Sequence, residues 1–155
     1  TVEHKPFGTV AVISPWNYPL AMANNLIIPA LTAGNCVIWK PSEETPLVAQ
    51  AFFDLISKSF PEGVIQIVHG DGEQGRMLVE SRVDMIAFTG SQAVGKEIMK
   101  RAAESLKRLV MELGGNDPMI VLTDADLHAA ARFAELAKIR LNSTAVVEPS
   151  RAKNI

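Results

Sequence analysis

The chain has 155 residues, 48% of them hydrophobic, with 15 Lys and Arg against 17 Asp and Glu and a formal charge of −2. That is enough chain for one domain with a substantial core, and the absence of any Lys/Arg block argues against a nucleic-acid or membrane surface and for small-molecule partners. The longest apolar stretch, Pro19 to Ala33, is interrupted by Asn24, Asn25, Pro29 and Thr32 and falls short of a membrane span; no signal peptide opens the chain, and a single cysteine rules out an internal disulfide framework and suits a reducing cytosol, so a cytoplasmic protein is expected.

In chain order, Gly8–Ser14 reads as a strand, followed by a helix beginning near Pro19, with Gly34 fitting the residue just past its end. Cys36–Lys40 reads as the next strand. Thr45 and Pro46 then read as an N-cap and first helical residue, and Leu47, Val48, Ala51, Phe52, Leu55 and Ile56 form one apolar stripe. Strands are expected at Val64–His69, Met85–Thr89, Arg108–Glu112 and Met119–Leu122. Ser91 is positioned to cap a helix whose outer face pairs Glu97 with Arg101, and Asp124 or Asp126 to open a last helix with Leu127, Ala130, Ala131, Ala134 and Ala137 inward. Strands alternating with helices predict a doubly wound α/β fold, a parallel sheet covered on both faces.

The most informative segment is Met111-Glu112-Leu113-Gly114-Gly115-Asn116, where an apolar run ends in a carboxylate and two glycines. A Glu at the end of a buried strand loses hydration, so it needs a hydrogen-bonded partner or carries a raised pKa suited to proton transfer. The alternative is a strand-end Glu facing solvent. Other strand ends carry Ile13-Ser14-Pro15-Trp16-Asn17-Tyr18-Pro19, Trp39-Lys40-Pro41-Ser42-Glu43 and Phe88-Thr89-Gly90-Ser91, with Gly95 following. Together, in this order and spacing from about Lys5 to about Arg140, these segments resemble the aldehyde dehydrogenase superfamily. The Lys5-Pro6-Phe7-Gly8 and Pro15–Pro19 segments look most like its succinate semialdehyde dehydrogenases.

The resemblance implies a Rossmann-like NAD-binding domain over residues 1–140 and NAD(P)-linked oxidation of an aldehyde to an acid. It places Asn17 as a neutral amide donor to an oxyanion, against the alternative of a helix N-cap ahead of Pro19. It makes Glu112 the general base of thioester hydrolysis, with glycines at 114 and 115 that let the backbone pass close to the nicotinamide. Lys40 and Glu43 would bind the adenosine ribose hydroxyls, where the alternative is an exposed ion pair of negligible energy. A carboxylate at Glu43 accepts from a free 2′-hydroxyl and repels a 2′-phosphate, which favours NAD over NADP. Ser91, at a helix start, would meet the pyrophosphate. Trp16 would belong to the cofactor and active-site wall, or else be a core aromatic. Further cofactor contacts carried over are Ile13, Ser14 and Pro15 on the first strand end, Ser42 beside Glu43, and Gly72 in the glycine loop. Phe88, Thr89, Gly90 and Val94 flank Ser91, and Leu113 and Gly114 follow the base.

Gly70-Asp71-Gly72-Glu73-Gln74-Gly75 is literally G-x-G-x-x-G. The standard fingerprint also needs an acidic residue ending the next strand, about twenty residues on, and here that strand ends Phe88-Thr89-Gly90-Ser91. Cys36, the only thiol, reads as a small packed hydrophobe entering a buried strand rather than a nucleophile. His4, His69 and His128 lack metal-ligand spacing, so no metal is expected. Leu141–Ile155 reads as a divergent tail without cysteine where the resemblance places the nucleophile loop, a pattern that fits a truncated or frameshifted gene. The expectation is an NAD-binding chain that is inactive alone, or a non-catalytic NAD-binding module, and that self-associates through apolar surface left uncovered.

Overall fold

The computed structural model describes residues 1–115, 118–141 and 144–147. The elements are strand β1 (Thr9–Ile13), helix α1 (Pro19–Thr32), β2 (Cys36–Lys40), α2 (Pro46–Ile56), β3 (Ile65–Ile67), α3 (Gly72–Glu80), β4 (Met85–Gly90), α4 (Gln92–Ala103), β5 (Arg108–Leu113), β6 (Pro118–Val121), α5 (Leu127–Leu141) and β7 (Thr144–Val147). The chain divides into two compact units after Leu113.

In the first unit five strands form one sheet in the order β3-β2-β1-β4-β5, and every pairing in it is parallel. Side chains of a strand alternate between faces. On one face Val10, Val12, Val37 and Trp39 pack with Ala23, Leu26 and Ile27 of α1 and Ala49 of α2. On the other, Ala11, Ile86 and Phe88 pack with Leu78 and Val79 of α3 and Ile98 and Ala102 of α4. A chain that winds from β1 to β3 with helices on one face, then from β4 to β5 with helices on the other, is doubly wound. The winding reverses between β1 and β4, and at such a point the loops leaving the carboxyl ends of the two strands part and open a crevice.

Several details depart from the sequence pattern. The inward face of α2 is Ala49, Phe52, Phe53 and Ile56, whereas Leu47, Val48 and Leu55 are exposed; apolar residues on both sides of a short helix left its phase undetermined. Thr45 holds the N-cap position without a side-chain cap bond, and its buried hydroxyl has no partner among the described residues. Arg101 reaches across to α3, donating from Nη1 to Glu80 Oε1 at 2.6 Å, rather than pairing with Glu97 along its own helix. Cys36 is exposed, not packed, because it is the first residue of its strand and sits at the sheet's rim.

The second unit is a small β-α-β element in which β6 and β7 pair in parallel as a separate two-stranded sheet. Asp126 opens α5, its Oδ1 accepting from the backbone N–H of His128 and Ala129 at 2.9 and 3.0 Å. Leu127, Ala130 and Ala134 are half-buried, while Ala131 is exposed; the side chain of Ala137 lies outside the described residues. Strand β7 falls inside the stretch 141–155 read from sequence as an unpatterned tail, and Leu141 closes α5. Residues 142–143 and 148–155 of that stretch lie outside the described residues.

Gly34 ends α1 as expected, at φ +83°, with its N–H donating to Leu31 O at 2.9 Å and the next N–H, of Asn35, to Ala30 O at 3.0 Å. A Cβ there would make only an ordinary 3.6 Å contact with Pro6, so the backbone conformation alone resists substitution. Gly34→Ala is expected to cost about 1 kcal/mol, with Gly34→Asn costing less because Asn tolerates the left-handed region. Urea unfolding should show the lower midpoint at unchanged slope.

Candidate functional site at the carboxyl edge of the sheet

Parallel strands end on the same side, so β2, β1, β4 and β5 bring Lys40, the Ser14–Tyr18 segment, Gly90–Ser91 and Glu112 to one edge. Neighbouring strands are about 4.8 Å apart, which spreads these ends over roughly 14 Å. Thr89 is opposite Glu112 in the register of β4 and β5, and Ile13 is opposite both Lys40 and Phe88.

Lys40 is the most constrained of these groups. Its side chain is 5% exposed, while Glu43, whose Oε2 lies 3.7 Å from Nζ, is 54% exposed. The ammonium also donates to Pro41 O at 2.9 Å. Burial pushes the Lys40 pKa below the ordinary lysine value, and the negative charges of Glu43 and Asp71 oppose that shift. The pair is therefore not the exposed ion pair considered above: a buried cation points toward an accessible carboxylate, and two ammonium protons remain beyond the Pro41 bond. Ser42 is half-buried and turned into the loop, its hydroxyl accepting from Glu44 N–H at 3.3 Å.

At the next strand end Ile13 packs partly into the α3/α4 core, and Ser14 is buried. Pro15 is half-buried. Trp16 is 61% exposed, so it is not a core aromatic. The N-cap of α1 is Tyr18, at φ 51° and without a side-chain cap bond. Asn17 therefore precedes the helix without capping it; it is exposed, and its amide makes no hydrogen bond among the described residues.

Phe88 is buried in the α3/α4 core, and a Cβ on Gly90 would come within 2.5 Å of its ring. These two residues are needed for packing. Thr89 is half-buried, and Ser91 and Val94 are exposed; Ser91 caps α4, its Oγ accepting from Val94 N–H at 3.3 Å. Leu113 lies over Gly95, where a Cβ would come within 2.5 Å of Cδ2, so the helix start approaches the end of β5 closely. Glu112 is exposed, contrary to the desolvation expected of it, because β5 is an edge strand of the described sheet. Gly114 opens the second unit and is exposed.

The glycine loop is a capping device. Asp71 accepts from Glu73 N–H at 2.8 Å while the Gln74 side chain accepts from Asp71 N–H at 2.9 Å. Gly70 takes φ +145°, and Gly72 begins α3. The loop follows the edge strand β3, away from the switch point, which is why its G-x-G-x-x-G spelling is not the standard fingerprint. Two contributors lie outside the motifs: Asp71, whose local signal is the Asp-x-x-Gln capping box, and Trp39, which is hydrogen-bonded to Ser14 and has no local signal. Among the described residues no group of three or more His, Cys, Asp or Glu could hold a metal, and no helix is long and apolar enough to cross a membrane.

A buried cation beside an accessible carboxylate, a helix amino end capped by a serine, and the loops that part at a switch point lie along one edge of the sheet. The fold is that of the Rossmann-like α/β class, a five-stranded parallel sheet wound in two directions. The chain belongs to the aldehyde dehydrogenase family, whose pattern matches residues 1–145. It is 46% identical over 134 residues to a 4,4′-diapolycopene aldehyde oxidase from Methylomonas sp, covering 86% of this chain and 25% of that protein. It is 42% identical over 154 residues to a probable NADP(+) succinate-semialdehyde dehydrogenase from Sinorhizobium fredii, covering 97% and 31%. An NAD+ complex of an aldehyde dehydrogenase from Bacillus cereus superposes with a TM-score of 0.86 at 36% identity, over 97% of this chain and 33% of that one. The chain thus spans about a quarter to a third of the length of these relatives.

Lys40 also yields a pH signature. Its folded pKa lies below 10.5, so above the folded value the unfolded chain holds the extra proton and stability rises with pH until the unfolded lysine also deprotonates. Lys40→Met is expected to melt higher than wild type at pH 7, with the gap closing as the pH approaches about 10.4, the unperturbed lysine value. A gap that stays constant over pH 7 to 10, or the opposite sign, would show that Glu43 and Pro41 fully offset the burial.

Proposed function

We propose that the carboxyl edge of this sheet binds NAD and serves the oxidation of an aldehyde to a carboxylic acid. The observation that carries this reading is the gathering of Lys40, Asn17, Ser91 and Glu112 on one edge, with Lys40 buried beside the accessible carboxylate of Glu43. Lys40 and Glu43 hold the adenosine ribose, one donating and the other accepting. Ser91 and the amino end of α4 face the pyrophosphate, where the positive end of the helix dipole attracts an anion. Gly72, at the first position of α3, leaves room beside it, since a Cβ there would meet nothing within 4 Å. Bound NAD supplies the hydride acceptor. Asn17, unpaired and neutral, is suited to stabilise an oxyanion without titrating, and Glu112, exposed at the strand end, is placed to take a proton from water.

An acyl thioester requires a thiol, and Cys36 is the only cysteine in the 155 residues. It begins β2 whereas Lys40 ends it, which puts it about 13 Å away along the strand, at the opposite edge of the sheet. The polypeptide of residues 1–155 therefore acts alone as an NAD-binding module. Exposed Leu47, Val48 and Leu55 along α2 support its self-association, which light scattering would register as a mass above that of the monomer.

Calorimetry should detect weak NAD binding and weaker NADP binding, with Glu43→Ser narrowing the difference because the carboxylate no longer repels a 2′-phosphate. A preference for NADP in the wild type would remove Glu43 from the ribose. In the same chain, absorbance at the NADH band should not rise with any of several aldehydes, for wild type and Cys36→Ala alike. Turnover that disappears in Cys36→Ala would overturn the exclusion of that thiol.

A further inference from the structure

We propose that the buried hydrogen bond from Trp39 Nε1 to Ser14 Oγ is a latch that sets the position of the Ser14–Tyr18 segment, making Trp39 and Ser14 positioning residues for NAD; the affinity part of this inference rests on the cofactor reading above. The bond is 2.9 Å long and buried at both ends, with Trp39 fully inaccessible and Ser14 4% exposed. The Trp39 ring cannot follow a moving partner, because it is wedged into the α1/α2 core and stands edge-on to Phe52 with ring centroids 6.0 Å apart. An indole N–H only donates, so the Ser14 oxygen is its acceptor and the serine must come to the tryptophan.

Ser14 is tied to β2 a second time, its backbone N–H donating to Lys40 O at 3.2 Å. Past Ser14 the pairing stops. Pro15 has no N–H to give, Trp16 and Asn17 are exposed, and the next backbone bond is from Met22 N–H to Tyr18 O at 3.0 Å, already inside α1. The loop that presents Asn17 thus hangs between the helix and one serine. Because Trp39 immediately precedes Lys40, the same bond fixes the loop relative to the lysine that grips the ribose. Without the Ser14 hydroxyl a buried donor is left unpaired, and the loop end must shift or admit water to satisfy it. Ser14 is in this view a structural link whose hydroxyl oxygen is committed inward, and the neighbouring residues meet the cofactor.

The test uses the 155-residue chain. By NMR the Trp39 indole proton should exchange slowly and that of Trp16 fast; Ser14→Ala should speed exchange at Trp39 and at the backbone amides of residues 16–18, and Ser14→Thr, which keeps the hydroxyl, should restore much of the protection. By calorimetry, at equal folded fraction, Ser14→Ala and Trp39→Phe should each weaken NAD binding about three- to ten-fold, the scale of one lost hydrogen bond. The double variant should be no weaker than the weaker single one, since both remove the same bond. Folded single variants with wild-type NAD affinity, or losses that multiply in the double variant, would overturn the latch as a determinant of binding. If the wild type binds no NAD, the cofactor reading and the affinity claim fall together. Exchange at residues 16–18 that does not respond to Ser14→Ala sinks the latch whatever the cofactor does.

Discussion

Everything at the candidate site depends on β1 being paired in parallel with β2 on one side and β4 on the other. A strand held on both edges must bury both faces, and Val10, Ala11 and Val12 do so without a polar atom in their side chains. The two flanking pairs also force the winding to reverse, since the chain goes outward through β2 to β3 and must return across β1 to start β4. The helices consequently go to opposite faces, and the loops after β1 and β4 diverge. A crevice at that edge follows from connectivity before any functional residue is chosen.

The crevice is lined by groups that cost the fold something. Lys40 is a cation taken out of water, compensated by one carbonyl and a partly solvated carboxylate 3.7 Å away. Burial of a cation costs desolvation that its partners offset only in proportion to their geometry, the usual tension between polar groups at a cleft and stability. Glu112 is arranged differently. It lies on an edge strand and is exposed, so its surroundings within this unit leave its charge solvated.

Glycines at this edge serve packing as much as ligand access. Gly90 makes room for the Phe88 ring and Gly95 for Leu113, which brings the start of α4 close to the sheet. Ser91 then caps a helix whose amino end is directed at the crevice. On the far side of α4, Glu80 accepts from both Arg76 and Arg101, at 2.6 Å each, and so ties α3 to α4. These contacts are exposed and individually weak; the buried Leu78, Val79, Ile98 and Ala102 give the helix pair most of its hold on the sheet.

The sequence by itself determined the fold class, the strands over Cys36–Lys40 and Met85–Thr89, the glycine that stops α1, the cap at Ser91, and the family, because periodicity, caps and motif order are local and survive without coordinates. It also placed the chemistry-bearing residues at strand ends, and parallel pairing then put those ends on one edge. Only the tertiary structure decided what depends on neighbours distant in the chain. It chose the inward face of α2, where local pattern allowed more than one; it exposed Cys36 and Glu112, since the burial of a strand end depends on its place in the sheet. It gave Arg101 to Glu80 rather than Glu97, and it bonded Ser14 to the Trp39 indole, 25 residues away. Burial and hydrogen-bond partners are properties of packed surfaces, and no window of sequence contains both surfaces at once.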